Sequence, residues 1–269
     1  MELNRQQLEE LKKTELELLK AFAEVCRQLG LRYYVLGGTM LGAVRHQGFI
    51  PWDDDIDVGM LRQDYEILLE KGQHLLPEGL FLQTFETDPE YPANFAKLRN
   101  SRTTFVESGL QKRRINHGVY IDIFPLDYYP DRGETWFSVK KELLSLRIST
   151  TFTVPGMKPT TKLVRLLTRV LYPTVRGALR RRERLFRSVT DGSRIANHCG
   201  AWGKKEIVPA HWYGEGTPMP FEGITVTVPT DYHLWLTQVY GDYMQLPPED
   251  KRIPHHYVTA FDLTRPYDI

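Results

Sequence analysis

Apolar residues recur from Leu8 to Leu29 at steps of three, four and seven, and Gly30 ends the pattern. This spacing predicts an amphipathic N-terminal helix that buries one face, with Gly30 just past its last turn. The next run, LRYYVLGG, is rich in Tyr and Val and predicts a buried strand. TMLGAVR behind it predicts a short helix with Thr39 as its N-cap. A strand, a Gly-Gly turn and a helix start therefore form one unit.

A second pattern, IPWDDDIDVGM, alternates acidic and apolar positions. Alternation predicts a half-buried strand, with Asp55 and Asp57 on one face and Ile56 and Val58 on the other. Arg62 to Glu70 then has helical periodicity. Further strand candidates are LFLQTF, FAKLRN, TTFVE and GVYIDIFPL. We therefore predict an α+β fold built around a mixed sheet.

The middle of the chain changes to helical periodicity, with a break at Pro173. Three windows share this periodicity: 134–146, 161–171 and 175–189. The last third contains a strand candidate, GITVTVP, a helix over 231–240 and a tail with Pro and His. We predict a catalytic core with the N-terminal helix, a basic helical insertion and a C-terminal unit that completes the substrate site. Their bounds are 1–135, 136–200 and 201–269.

Composition excludes several classes of protein. Lys+Arg 35 against Asp+Glu 34 argues against a nucleic-acid binder, whose affinity comes from a basic excess. Only two cysteines, Cys26 and Cys199, are too few for a disulfide framework or a cysteine zinc site and favour a reducing, cytoplasmic setting. No window approaches the roughly 18 apolar residues of a membrane span, so a soluble or peripheral protein is expected.

The strongest charge asymmetry lies between Lys158 and Arg187, where ten basic residues are opposed by Glu183 alone. Two interpretations stay open. A basic amphipathic helix can rest on an anionic membrane surface, where Arg180, Arg181 and Arg182 would contribute. Alternatively, the helix packs on the core and solvates its basic face. The apolar positions that define its stripe are Leu163, Leu166, Leu167, Val170 and Leu171.

Two carboxylates on one strand face, about 6.5–7 Å apart at Cα, can share a hard cation. Mg²⁺ prefers oxygen ligands and leaves sites for phosphate oxygens, which suits phosphoryl transfer. A solvated acidic turn is the alternative for Asp55 and Asp57. A calcium loop fits less well, because Val58 intervenes before Gly59.

A second acidic position supports the metal interpretation. Asp122 lies between Ile121 and Ile123, where a strand normally carries a core hydrophobe. An aspartate is costly there unless it faces a site. The alternative is that Asp122 pairs with a buried Lys or Arg.

The run LGGTMLGAVRHQGFIPWDDDIDVGM resembles the LicD family, and KLRNSRTTFVE, YIDIFPLD and YGDYMQLPPEDKR resemble its later blocks in the same order. The resemblance covers essentially the whole chain. Family members, with fukutin and fukutin-related protein as distant relatives, are similar to polymerase-β-type nucleotidyltransferases. In that fold a Gly-Gly or Gly-Ser turn precedes an Asp-x-Asp strand, and a third acid lies on a neighbouring strand. The resemblance therefore implies a nucleotidyltransferase-like mixed sheet with added helices.

The activity that the resemblance implies is transfer of phosphocholine or a polyol phosphate from a CDP-linked donor to a sugar hydroxyl, releasing CMP. The acceptor would be a cell-surface glycan such as lipopolysaccharide or teichoic acid, or its lipid-linked form at the inner membrane face. A true nucleotidyltransferase that releases pyrophosphate is the alternative reaction. A scaffold that keeps the fold without the reaction is the alternative class, and it would bind partners equally well without metal.

The resemblance also implies roles for individual residues. Gly37 and Gly38 match the turn at the nucleotide phosphates, and Asp122 matches the third acid, a metal ligand and general-base candidate. The remaining metal ligands, for Mg²⁺ or Mn²⁺, are expected to be Asp53, Asp55 and Asp57. Apart from the resemblance, the basic residues nearest these motifs are Arg45, Lys97 and Arg99, which are expected to contact the donor phosphates. Lys97 and Arg99 share one face of their strand, and an ordinary surface salt bridge is the alternative for each of the three. His255 and His256 are left outside the catalytic set, since adjacent histidines often lie in a solvated loop.

Overall fold

The computed structural model describes residues 3–151, 159–254 and 256–268. The helices are α1 Arg5–Leu29, α2 Gly37–His46, α3 Arg62–Lys71, α4 Glu134–Ile148, α5 Pro159–Leu171, α6 Val175–Arg187 and α7 Tyr232–Tyr240. The strands are β1 Tyr34–Val35, β2 Asp57–Leu61, β3 Leu80–Gln83, β4 Ala96–Asn100, β5 Thr104–Glu107, β6 Val119–Tyr129, β7 Arg194–Asn197, β8 Ile207–Pro209, β9 Thr217–Phe221, β10 Ile224–Val228 and β11 Val258–Asp262. The predicted combination of a mixed sheet and helices is confirmed.

Capping residues mark both ends of the N-terminal helix, with Asn4 before its first residue and Gly30 after its last. The Asn4 side chain accepts the Gln7 backbone N–H at 2.9 Å, and the Gln7 side chain accepts the Asn4 N–H at 3.0 Å. This reciprocal capping box satisfies two helix-terminal donors. Gly30 ends α1 with a left-handed φ of 66°. Buried residues such as Leu19 and Phe22 hold α1 in the main core.

Strand β6 is the centre of a seven-stranded sheet, with the order β1-β2-β6-β4-β3 on one path. β2 runs parallel to β6, and the remaining pairs are antiparallel. The last residues of β6 pair with β7, which in turn pairs with β8. In the parallel pair, Asp57 stands opposite Asp122. Sheet register therefore brings two acids from distant parts of the sequence side by side.

Two predicted boundaries around the glycine turn are wrong. Helix α2 begins at Gly37, after Leu36 as N-cap, so Thr39 lies inside the helix. The Thr39 hydroxyl instead accepts the backbone N–H of Asp57 at 2.9 Å and ties the helix to β2. The acidic strand begins only at Asp57, so Asp55 lies in the loop before it.

The C-terminal third contains strands that the sequence patterns did not indicate. β9, sequence TPMPF, forms a hairpin with the predicted strand β10, although prolines interrupt its alternation. β11 in the tail pairs with β5. β7 and β8 extend the main sheet, which places part of the predicted 136–200 segment in that sheet. The division into three units stays a prediction.

Helices α4 and α6 enclose a second apolar cluster next to the main core. Its members include Phe137, Leu144 and Phe186, and Tyr129 joins it from the end of β6. Among the helices of the described ranges, none is long and apolar enough to cross a membrane.

Candidate active site

A cavity of about 1100 Å³ opens where α2 begins and where β2 and β6 lie side by side. Gly37 and Gly38 contribute one wall, and Asp122 contributes another. The loop before β2, the segment from β7 to Glu206 and the segment after α7 line it as well. The cavity therefore collects residues that lie far apart in the sequence, and it can accommodate a ligand of nucleotide size.

Asp55 and Asp57 both line this cavity, whereas Ile56 and Val58 are fully buried in the core. The predicted division into an acidic and an apolar face is thus confirmed, even though the strand itself begins at Asp57. The Ile56 carbonyl accepts the Asp122 N–H at 2.9 Å, so the pairing with β6 extends back into the loop. The backbone therefore aims both carboxylates at the same space as Asp122.

The glycines at the start of α2 make room for these carboxylates. A Cβ atom on Gly38 would lie 2.3 Å from Asp53 Oδ2, and one on Gly37 would lie 3.0 Å from Asp57 Oδ2. Gly37 also has a φ of 50°, which residues with a side chain rarely adopt. A helix N-terminus with glycine backbone favours close approach of anionic groups. The position of the two glycines fits their expected place beside donor phosphates.

The acidic residues repel one another in the absence of a cation. Burial, followed by the charges of Asp55 and Asp54, raises the pKa of Asp53 well above its ordinary value. Burial, followed by the charges of Asp55 and Asp122, does the same to the pKa of Asp57. Carboxyl groups with such raised pKa values are stabilised in their ionised form by a bound cation. The donor set, which is oxygen throughout, fits a hard divalent cation.

Asp54 belongs to this cluster, although sequence alternation gave it no role. Carboxylate oxygens of Asp53, Asp54 and Asp55 all lie within 4.8 Å of one another. His256 fixes Asp54, because its backbone N–H lies 3.0 Å from Asp54 Oδ2 and its Nδ1 lies 3.2 Å from Oδ1. Burial lowers the pKa of His256, but the hydrogen bond and the nearby acids outweigh it and raise the pKa to about 9. His256 thus lies at the site, while His255 is outside the described residues.

Asp122 lines the cavity and also forms the buried ion pair that its sequence context allowed. Lys97 Nζ lies 2.9 Å from Asp122 Oδ1 and 3.3 Å from Glu107 Oε1. The ammonium also lies 3.2 Å from the ring centroid of Tyr120. Burial raises the pKa of Asp122, and the Lys97 charge opposes that rise. The two interpretations of Asp122 are therefore compatible.

Arg99 shares a strand face with Lys97, as parity predicts, but the structure does not bring it to the cavity. Its side chain is fully buried. The guanidinium donates to Gln83 Oε1, the Gly118 carbonyl and Glu107 Oε2. Neither Arg99 nor Lys97 is among the described residues that line the cavity. Lys97 acts at the site through Asp122, and Arg99 supports Glu107 behind it.

Basic side chains do reach the cavity from two other places. Arg45 lines it from α2 and donates to the Tyr243 carbonyl at 2.6 Å. Lys251 and Arg252 line it from the C-terminal segment, and Arg252 lies 5.6 Å from the Trp52 ring centroid. These two residues lie in the PPEDKR block, for which the family resemblance implied no site residue. The Lys-Arg pair behind two prolines was the available signal.

The cavity is also lined by a buried carboxyl and two aromatic rings. Glu206 accepts the Trp202 backbone N–H at 2.9 Å, and burial raises its pKa to about 7. The Trp202 and Tyr240 rings meet edge to face at a centroid distance of 4.9 Å. All three residues line the cavity. Glu206 stands in no acidic pattern, so sequence reasoning had no signal for it.

Comparison with known proteins places this site in context. Residues 30–173 match the family described as LicD/FKTN/FKRP, nucleotidyltransferase domain. The chain is 29% identical over 257 residues to the lipopolysaccharide cholinephosphotransferase LicD of Haemophilus influenzae, covering 92% of this chain and 95% of that protein. It is 42% identical over 53 residues to the ribitol 5-phosphate transferase FKRP of Homo sapiens, covering 17% of this chain and 11% of that protein.

Proposed function

Because the chain belongs to the LicD/FKTN/FKRP nucleotidyltransferase-domain family and is a LicD-type transferase, we propose that it transfers a substituted phosphate from a CDP-linked donor to a glycan hydroxyl, releasing CMP. The observation that carries the proposal is the convergence of Asp53, Asp55, Asp57 and Asp122 on one large cavity. We also propose that the mixed sheet has the nucleotidyltransferase-like fold that the family resemblance implies.

The acidic residues fit Mg²⁺ or Mn²⁺. Asp55 and Asp57 would hold the cation, with Asp53 and Asp122 as the neighbouring ligands, and Gly38 leaves the space that Asp53 occupies. Bound there, Mg²⁺ supplies a positive charge that stabilises the transferring and leaving phosphate oxygens. Arg45, Lys251 and Arg252 add positive charge on the wall where the donor diphosphate would lie.

Asp122 is the residue proposed to accept the proton of the acceptor hydroxyl. The hydroxyl oxygen forms a bond to the β-phosphorus, the bond from this phosphorus to the bridging oxygen breaks, and CMP leaves with that oxygen. Lys97, 2.9 Å from Asp122 Oδ1, fixes the carboxylate and favours its ionised form. An ionised, positioned carboxylate is what a general base requires.

The donor group can be either choline or a polyol, since the relatives named above differ in it. A panel of CDP-choline, CDP-ethanolamine, CDP-ribitol and CDP-glycerol in Mg²⁺, with a glycan acceptor, tests the proposal through CMP release. We expect one donor to release CMP, and excess EDTA to stop the release. Pyrophosphate release from an NTP without CMP release from any CDP donor would establish the alternative nucleotidyltransferase reaction. Metal-independent binding of glycan without turnover would establish a scaffold.

A further inference from the structure

Helix α5 turns its apolar side chains away from the protein. The α5 stripe consists of Leu163, Leu166, Leu167, Val170 and Leu171, and each of these side chains is between 54% and 77% exposed. Their spacing of three and four residues places them on one face of the helix. The opposite side faces the protein instead, because Thr168 is buried and Arg165 donates to the Ser149 carbonyl beyond α4. The usual orientation of an amphipathic helix is therefore inverted.

Hydrogen bonds to the backbone hold the end of α5 in this orientation. Arg147 of α4 donates to the carbonyls of Tyr172 at 2.6 Å and Pro173 at 2.8 Å. Arg181 of α6 donates to the Leu171 carbonyl at 3.2 Å. These contacts come from both neighbouring helices. The exposed face is thus set by the surrounding structure.

Six arginines of this basic segment, beside Arg165 and Arg187, differ in their partners. In one group the guanidinium bonds another side chain: Arg176 and Arg180 both bond Glu86 at the surface, and Arg182 bonds Asn94. The other group is exposed without such a bond among the described side chains and consists of Arg169, Arg181 and Arg184. In this second group, Arg181 and Arg184 donate to backbone carbonyls, which leaves their positive charge unneutralised by that contact.

We propose that the α5 stripe docks on the surface of an anionic lipid bilayer. The five apolar side chains would enter the boundary between headgroups and acyl chains, and Arg169, Arg181 and Arg184 would lie near the lipid phosphates. A helix of 13 residues is too short to span the hydrocarbon core and would lie in the plane of the membrane. The charge of the exposed arginines is complementary to anionic headgroups.

A second copy of the chain is the less suitable occupant. In a two-fold dimer the same surface patch meets itself, so Arg169 and Arg181 would approach the same arginines of the other copy. Like charges brought together in an interface oppose association. The proposal is independent of the transfer reaction, because lipid binding requires neither donor nor metal. It would bring the enzyme close to a glycan acceptor that is attached to a lipid.

The test is cosedimentation of the full chain with vesicles of phosphatidylglycerol and phosphatidylcholine, compared with phosphatidylcholine alone. We expect binding to the anionic vesicles that weakens with salt. The substitutions Leu166→Gln, Leu167→Gln and Val170→Gln together should lower the partition coefficient at least about tenfold. The matched apolar control is Leu75→Gln with Leu234→Gln, since both residues are partly exposed outside the stripe.

A charge variant separates the exposed arginines from the paired ones. Replacement of Arg180 and Arg182 would also remove the contacts with Glu86 and Asn94, so these residues are unsuitable. The informative variant carries Arg169→Gln, Arg181→Gln and Arg184→Gln, and its charge-matched control carries Arg27→Gln, Arg102→Gln and Arg265→Gln. Loss of anionic binding in the first variant alone supports the proposal. Equal binding of all variants, no vesicle binding, or a stripe-dependent dimer in sedimentation velocity would overturn it.

Discussion

Polar side chains usually lie at the surface of a protein and apolar ones in its core. The acidic loop before β2 departs from the first tendency, and the α5 stripe departs from the second. The loop places Asp53 and Asp54 in the protein interior, where carboxylates are costly. The stripe leaves five large apolar side chains with more than half of their surface in water, where that surface gains nothing from burial. Both regions are nevertheless held firmly by neighbouring elements. These two departures are the reason why we propose a cation for the acidic loop and a lipid surface for the stripe.

The support of the two regions differs in kind. Specific contacts support the acidic loop. Gly38 leaves space for Asp53, and His256 bonds Asp54. Lys97 pairs with the neighbouring Asp122. Among the described residues, the α5 stripe is supported from the opposite face of the helix, where Arg165 bonds the Ser149 carbonyl, and through backbone carbonyls at the end of the helix. A site for a small, charged ligand needs fixed contacts, whereas a surface that meets a fluid bilayer needs only the right face exposed.

Asp57→Asn should have the largest effect on the acidic side of this comparison. Removing one of the two central carboxylates should lower kcat by about a thousandfold, about 4 kcal/mol in the barrier, and should weaken Mn²⁺ binding in calorimetry. Stability should stay the same or rise, because repulsion from Asp55 and Asp122 is relieved. Asp191→Asn, at an exposed position, is the control. Retention of more than about a tenth of kcat would remove Asp57 from the machinery.

Asp122→Asn should have a smaller effect, in which loss of the proton acceptor outweighs loss of a neighbouring cation ligand. We expect kcat to fall by about a hundredfold, the usual scale for a general base, while the affinity for donor changes much less. The variant should fold, because Lys97 keeps Glu107 as a partner at 3.3 Å. Steady-state kinetics and thermal melting measure both quantities. Equal losses in kcat and in donor affinity would contradict the role of base.

The part of the site that sequence could predict is the part with local signals. Asp55 and Asp57 stand in an alternating run, and Asp122 interrupts an apolar strand, so each is visible without a structure. Their meeting depends on the parallel pairing of β2 with β6, which is a long-range register that no local pattern encodes. The family resemblance supplied that step.

The part that could not be predicted depends on tertiary contacts. Arg99 was expected at the donor phosphates but is fully buried beside Gln83 and Glu107. Lys251, which had no expected role, reaches the cavity from the C-terminal segment. Periodicity found the stripe of α5 but not which way it faces. Either orientation satisfies the same pattern of spacing, and Arg147 and Arg181 decide between them from other helices.

Glu206→Gln tests how much the ionisation of a single buried carboxyl, outside the acidic loop, destabilises the folded protein. Its pKa of about 7 lies above the ordinary 4.5, so the folded state holds the proton between these values while the unfolded state releases it. The free energy of unfolding therefore falls as pH rises from about 4.5 to 7, by about 3 kcal/mol from this group. Urea denaturation at pH 5, 6, 7 and 8 should show that the variant loses less stability than wild type. Glu10→Gln is the exposed control.

Leu167→Gln in the α5 stripe should show the smallest effect of all, and Leu144→Ala in the adjoining core is the contrasting substitution. Leu167 is 54% exposed, so its replacement in solution should change the free energy of unfolding by no more than about 0.5 kcal/mol. Leu144 of α4 is fully buried in the cluster around Phe137, and its truncation should cost about 2–5 kcal/mol. Urea denaturation without lipid measures both. A cost above about 1 kcal/mol for Leu167→Gln would mean that the protein itself covers the stripe in solution, and the stripe would then belong to the core rather than to a surface.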